Sequence, residues 1–155
     1  GVELEECRTD QISLCGSDFS KFKQVKKYIS EVAAELEPEG FEHYDAWYLV
    51  TNYGRQTSRI LDNYRKLKGE DACWRLMKAE LLFGLEHEMT QNPMDFLIRR
   101  TGRLYFDIHS VRKYQDRVIE VCASELKAGS NSRAAWKAEL ETQLEHHSSF
   151  SLERA

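Results

Sequence analysis

The sequence predicts an all-α fold, a single-domain bundle of six or seven helices preceded by a short extended linker. Three observations carry this. Only 2 prolines and 8 glycines interrupt 155 residues, so long regular elements are expected. After residue 17, apolar residues recur at three- and four-residue steps, the spacing that lines one face of a helix. Strict alternation, the mark of a half-buried strand, is found nowhere beyond that point. A chain of this length fits one domain with a core of its own.

Taken in order, residues 1–17 hold no sustained period and read as an extended linker that ends in a turn at Gly16-Ser17. Phe22, Val25, Ile29, Val32, Ala33 and Leu36 then form one apolar stripe, with Ser17 or Asp18 as the N-cap and Pro38 and Gly40 as the stop. A second helix is expected from Phe41 to Tyr53, burying Phe41, Tyr44, Tyr48 and Val50, with Gly54 as a left-handed C-terminal residue. A shorter helix follows, with Thr57, Ile60, Leu61 and Tyr64 on one face, and Gly69 ends that region. Asp71 caps a helix from Ala72 to His87 whose middle, Leu76 to Phe83, is apolar on more than one face, as a central helix should be.

Asn92-Pro93 opens a short helix from Met94 to Thr101, proline standing where its missing N–H costs nothing. Gly102 lets the chain turn. A long helix near Asp107 presents Ile108, Val111, Tyr114, Val118, Cys122 and Leu126, and stops at Ala128-Gly129. The last helix begins near Ser132 and presents Trp136, Leu140 and Leu144. Residues 18–148 thus make the helical domain and 149–155 a frayed tail.

The charge balance narrows the function. A net charge of −4 lacks the basic stripe of a nucleic-acid surface, so no nucleic-acid partner is expected. No stretch reaches the roughly 18 apolar residues of a membrane span. Acidic residues stand near the start where a signal peptide would be basic, and the opening on Gly1 suggests a fragment of a longer protein. Cys7, Cys15, Cys73 and Cys122 are scattered, as reduced thiols of a cytoplasmic protein would be.

Chemistry-bearing motifs are sparse. None of the histidines at 43, 87, 109, 146 and 147 has an acidic residue three positions earlier, so the Glu-x-x-His pairing of di-metal bundles is missing. No glycine-rich phosphate loop and no strand–turn–helix setting for a nucleophile occurs. One constellation stands out. Glu80 and Glu88 precede Asp95, Arg99 and Arg100, and Asp95 lies four residues before Arg99, the good orientation for an ion pair. Arg99 and Arg100 point about 100° apart on a helix and can address two partners. A buried ion network of Glu80, Glu88, Asp95, Arg99 and Arg100 is expected to pin the short helix onto the central one. An anion site, with Arg100 reaching toward a phosphate, is the alternative.

The run Glu86-His87-Glu88-Met89-Thr90-Gln91-Asn92-Pro93-Met94-Asp95-Phe96-Leu97-Ile98-Arg99-Arg100-Thr101-Gly102 resembles the signature of the C-terminal domain of FAD-dependent glycerol-3-phosphate dehydrogenases and alpha-glycerophosphate oxidases. Glu88, Asp95, Arg99, Arg100 and Thr101 match it one by one. Cys7-Arg8-Thr9 through Leu14-Cys15-Gly16-Ser17-Asp18 looks like the segment leaving that family's flavin domain, although Cys15 stands where proline or serine is usual. Leu49 to Gly54 is similar to its short helix ending in Tyr-Gly. The resemblance implies a parent enzyme that oxidises sn-glycerol 3-phosphate to dihydroxyacetone phosphate by hydride transfer to FAD, with quinone or oxygen as the final acceptor. It implies an N-terminal FAD and substrate domain as partner. It also implies a cytoplasmic location, with peripheral attachment of the parent to the membrane as an option. No catalytic, cofactor-binding or metal residue is assigned to this chain, and FAD belongs to the parent. The alternative is a stand-alone helical interaction module using Trp47, Trp74 and Trp136.

Overall fold

A computed structural model describes residues 7–69 and 71–149. Residues 1–6 of the expected linker and 150–155 of the expected tail lie outside the described residues. Among the described residues there are seven α-helices and no strand, so the all-α expectation holds. The helices are α1 (Phe22–Leu36), α2 (His43–Tyr53), α3 (Thr57–Lys66), α4 (Ala72–His87), α5 (Arg103–Phe106), α6 (Ile108–Glu125) and α7 (Ser130–Ser148), with a π-helix at Asp95–Arg100 before α5. The expected single bundle divides into two compact units, Gly1–Asp62 and Asn63–Ala155, and the boundary falls inside α3.

In the first unit α1 and α2 form a helical hairpin. Ile29, Val32 and Leu36 of α1 are buried, as are Ala46, Leu49, Val50 and Tyr53 of α2. The expected cap of α1 at Ser17 or Asp18 is not used. Lys21 is extended at the start of the helix, and Gln24 reaches back so that its Oε1 accepts from the Ser20 and Lys21 backbone N–H groups at 2.8 and 3.3 Å. Ser17 turns the other way and donates to the Leu14 carbonyl at 2.6 Å. Phe22 therefore starts the helix on its outer side and is 71% exposed. In α2 the buried face is Ala46-Leu49-Val50-Tyr53, so of the expected Phe41, Tyr44, Tyr48 and Val50 only Val50 is fully buried. Tyr44 is exposed and stacks on Trp47 at 5.5 Å. With aromatic residues on both sides of α2, the small Ala46 decides which side lets α1 approach.

Gly54 is not the expected left-handed cap. Its φ of 55° and ψ of −133° fit a close crossing with Gly16, whose φ is 81°. The Arg55 N–H donates to the Gly16 carbonyl at 3.0 Å. A Cβ on Gly16 would lie 2.5 Å from the Tyr53 carbonyl oxygen, and one on Gly54 would drive into the carbonyl of Gly16. Glycine at both positions is thus a steric requirement. The Arg55 guanidinium covers the Phe19 ring at 4.4 Å and the Tyr28 ring at 5.0 Å, and a 3₁₀ turn at Thr9–Gln11 interrupts the segment expected to be extended.

The second unit is built round α4, the central helix the sequence anticipates. Trp74, Leu76, Met77, Ala79, Glu80, Leu81, Phe83 and Gly84 are all buried. The Asp71 carboxylate caps it, accepting from the Trp74 N–H at 3.0 Å and from the Tyr114 hydroxyl at 2.9 Å. These bonds draw the Asp71 carboxyl below its ordinary range, the backbone N–H of Trp74 contributing most. Val111, Tyr114, Val118, Ile119 and Cys122 of α6 and Leu140 and Leu144 of α7 complete the core. Each fully buried aliphatic or aromatic side chain contributes roughly 1.5–3 kcal/mol.

Candidate functional site

The constellation picked out by sequence lies entirely in the second unit, between the end of α4 and the start of α6. The end of α4 is folded back on itself: the N–H groups of Glu88 and Thr90 both donate to the Gly84 carbonyl, at 3.0 and 3.1 Å. Closing this double bond puts Met89 at a φ of 53°, the left-handed position at which helices often end. Asn92 then caps the next element, its Oδ1 accepting from the Asp95 N–H at 2.9 Å, and the Asp95 carboxylate accepts from the Gln91 N–H at 3.0 Å.

The element that follows is a π-helix over Asp95–Arg100, where an α-helix is expected. Its wider turn closes at Thr101, whose N–H and hydroxyl both donate to the Phe96 carbonyl, at 3.1 and 2.7 Å. Phe96 and Leu97 are buried, and Arg99 and Arg100 are exposed. Single π turns recur at functional positions in helical proteins. Here the extra residue lets two adjacent apolar side chains enter the core while two adjacent guanidinium groups leave it.

The five expected ionic residues separate into three arrangements. Asp95 pairs with Arg99 four residues on, and Arg99 is 71% exposed there. Arg100 acts on Glu88 through space. Burial pushes the Glu88 carboxyl above its ordinary range, Arg100 pulls it back, Glu80 reinforces the rise and His87 opposes it. Glu80, fully buried on α4, receives Arg103: Nη2 to Oε2 is 2.7 Å, with Arg103 17% exposed. The Arg103 Nη1 also reaches the Asp107 carboxylate at 3.2 Å. Asp107 caps α6 through the Ser110 N–H at 3.3 Å and accepts a further bond from the Ser110 hydroxyl.

Arg103 therefore delivers a charge to the buried Glu80, whereas Arg99 pairs with Asp95. The π register is the physical reason, since it carries the two arginines outward before the chain turns at Gly102. Sequence reasoning missed Arg103, although a signal exists: it is the next cation after the Gly102 turn and stands four residues before the acidic cap Asp107. A charge pair at this depth is costly to form and costlier to break on one side, so it locks α5 to α4.

The site offers scaffold chemistry rather than reaction chemistry. Cys122, against the same core, has its thiol pushed up to about 12 by burial, with the Asp95 charge adding to the effect. It is protonated and inert at neutral pH. Among the described residues no group of three or more histidine, cysteine or acidic side chains could hold a metal ion. The strand, glycine-rich turn and helix that cradle a dinucleotide in Rossmann-type domains are not found among the described residues, which contain no strand. The three tryptophans also differ in setting: Trp74 is buried, Trp136 packs half-buried on the core and Trp47 is exposed.

Comparison with known proteins gives this geometry a context. The family described as the C-terminal domain of alpha-glycerophosphate oxidase matches residues 7–133, a span that holds both the glycine crossing and the ionic site. The chain is 35% identical over 117 residues to the aerobic glycerol-3-phosphate dehydrogenase of Bacillus subtilis, covering 74% of this chain and 21% of that protein. It is 27% identical over 146 residues to the enzyme of the same name from Staphylococcus epidermidis, covering 94% of this chain and 26% of that one. A solved structure, the glycerol-3-phosphate dehydrogenase from Bacillus halodurans complexed with FAD, superposes with a TM-score of 0.79 at 27% identity, over 96% of this chain and 31% of that chain. The chain thus spans between a fifth and a third of the length of these relatives.

Proposed function

Because this chain belongs to the family of C-terminal domains of alpha-glycerophosphate oxidase, we propose that it serves as the helical domain of a FAD-dependent glycerol-3-phosphate dehydrogenase or oxidase. The parent, on this reading, oxidises sn-glycerol 3-phosphate to dihydroxyacetone phosphate, and FAD supplies the hydride acceptor from an N-terminal domain. The match across residues 7–133 carries the proposal. The second unit contributes scaffolding: the π-helix sets Arg99 and Arg100 outward, and the Glu80–Arg103 pair fixes the turn between them and α6. That neighbouring domain is the partner we assign. The parent's place is the cytoplasm or the membrane surface, where it docks peripherally, and no described helix is long and apolar enough to cross a membrane.

The test is a transplant. Replacing the matching segment of the Bacillus subtilis enzyme with this chain is expected to preserve flavin binding and glycerol-3-phosphate oxidation, while the isolated chain is colourless and inactive. A chimera that folds and holds flavin yet leaves glycerol 3-phosphate untouched would overturn the proposal, as would stoichiometric flavin on the isolated chain. The two final acceptors are then separated by assaying the chimera with a soluble quinone and with oxygen.

A further inference from the structure

One face of the second unit carries aromatic rings that its own core does not take in. The turn of α5 is fixed at its start by Arg103, held 2.7 Å from Glu80, and at its end by Asp107, the cap of α6. Leu104 between them is buried, but Tyr105 is 53% and Phe106 90% exposed. The Phe106 ring lies over Gly102, where a Cβ would come within 3.2 Å of it. Tyr105 meets the Phe106 ring at 6.4 Å and the His147 ring of α7 at 5.0 Å, both edge-on. α5 also packs against the π-helix, whose Arg99 and Arg100 are exposed. Fastened at both ends, α5 holds Phe106 out in water.

The composition around this face is that of a protein contact. No lysine occurs between Lys78 and Lys113, whereas arginine stands at 99, 100, 103 and 112. Protein interfaces favour arginine, tyrosine and phenylalanine and disfavour lysine. A lipid surface asks instead for a run of basic charge. From residue 86 to residue 107 the acids Glu86, Glu88, Asp95 and Asp107 outnumber the three arginines, so an anionic bilayer meets repulsion as well as attraction. The size of the face points to a tethered partner. Proteins that associate as independent molecules bury roughly 800 Å² a side, more than two rings and two guanidinium groups provide. A domain of the same polypeptide needs less, because the tether keeps it at high effective concentration.

We infer that Tyr105 and Phe106, flanked by Arg99 and Arg100, are the face on which the parent's N-terminal domain seats. The inference rests on the reading of this chain as the helical domain of a larger enzyme, since it spans under a third of the length of its relatives. The opposing surface presents an apolar hollow for the Phe106 ring and carboxylates for the arginine forks. Asp95 pairs with Arg99 and steadies it in its outward position.

Hydroxyl-radical footprinting of the full chain, alone and grafted into the Bacillus subtilis enzyme, tests this. Alone, Phe106 is expected to oxidise readily. In the graft it should react as slowly as the buried Phe96, the internal standard in both. Phe106→Ser in the graft should return Tyr105 to the reactivity it has in the chain alone, and the same variant of the chain alone should keep its circular dichroism. Phe106 that stays reactive in a graft able to oxidise glycerol 3-phosphate overturns the face and leaves the reading of the chain intact. A flavin-loaded graft that protects Phe106 yet does not oxidise glycerol 3-phosphate upholds the face and removes that reading. Slow oxidation of Phe106 in the chain alone would mean that a second copy covers it. Protection of the chain alone by phosphatidylglycerol vesicles would mean a lipid surface, and either result overturns the inference.

Discussion

The two units fasten a short segment to a helix by opposite means. In the second, α5 is tied to α4 by charge: a guanidinium 2.7 Å from a carboxylate that water does not reach. In the first, the segment before α1 is tied to the end of α2 by bare backbone, Gly16 and Gly54 crossing where neither leaves room for a methyl group. An ion pair responds in degrees, to its partner, to distance and to dielectric. A backbone crossing tolerates no added atom. The difference teaches that substitutions of modest size should do most harm where the structure holds fewest side-chain atoms.

Four changes break or sharpen that contrast. The largest loss is expected from Gly54→Ala, where a side chain meets both a carbonyl oxygen and an unfavourable φ: about 4 kcal/mol by urea unfolding. A loss below about 1 kcal/mol would show that the crossing yields freely and that steric fastening is the wrong description. Next comes Arg103→Met, which removes the guanidinium 2.7 Å from the buried Glu80 carboxylate and should cost about 3 kcal/mol. Its control, Arg99→Met, should cost under about 1 kcal/mol, because the Arg99 side chain is 71% exposed and the Asp95 carboxylate keeps its bond from the Gln91 N–H. Equal losses at the two positions would contradict the assignment of the fastening charge to Arg103.

The smallest effect is at Glu88, and its sign is unusual for a carboxylate. Its folded pKa is raised, so between the unfolded and folded values the native state binds more protons. Stability is therefore greatest below the unfolded value and falls as pH rises through the folded one. Glu88→Gln should flatten this part of the pH–melting profile and leave the protein at neutral pH as stable as before or slightly more so. A steeper profile in the variant would reverse the argument.

Much of this architecture is legible in the sequence. Asp71 before an apolar run announces a capped helix, and the mixed faces of Leu76 to Phe83 announce a central one. Thr57, Ile60, Leu61 and Tyr64 are all buried as their spacing implies. What escapes has physical causes. Periodicity does not separate a π turn from an α turn when the apolar residues are adjacent, as Phe96 and Leu97 are. Tyr44 and Tyr48 carry the same ring as the buried Tyr53, so residue type does not sort them, and the small Ala46 indicates the side on which α1 lies. The cap of α1 is hidden because Gln24 supplies it from inside the helix while Ser17 bonds backward. For the ionic site, spacing identifies Asp95 with Arg99, a local pair. The match of Glu80 with Arg103 crosses 23 residues and depends on a turn whose direction the residues alone do not reveal.

The distribution of thiols supplies the protein with its own unfolding clock. Cys7, Cys15 and Cys73 are exposed and Cys122 is buried. An alkylating reagent in excess should consume three equivalents quickly and the fourth only as often as the packing of α4, α6 and α7 opens. The lag before that last equivalent measures the stability of one unit alone, in the intact chain and without denaturant.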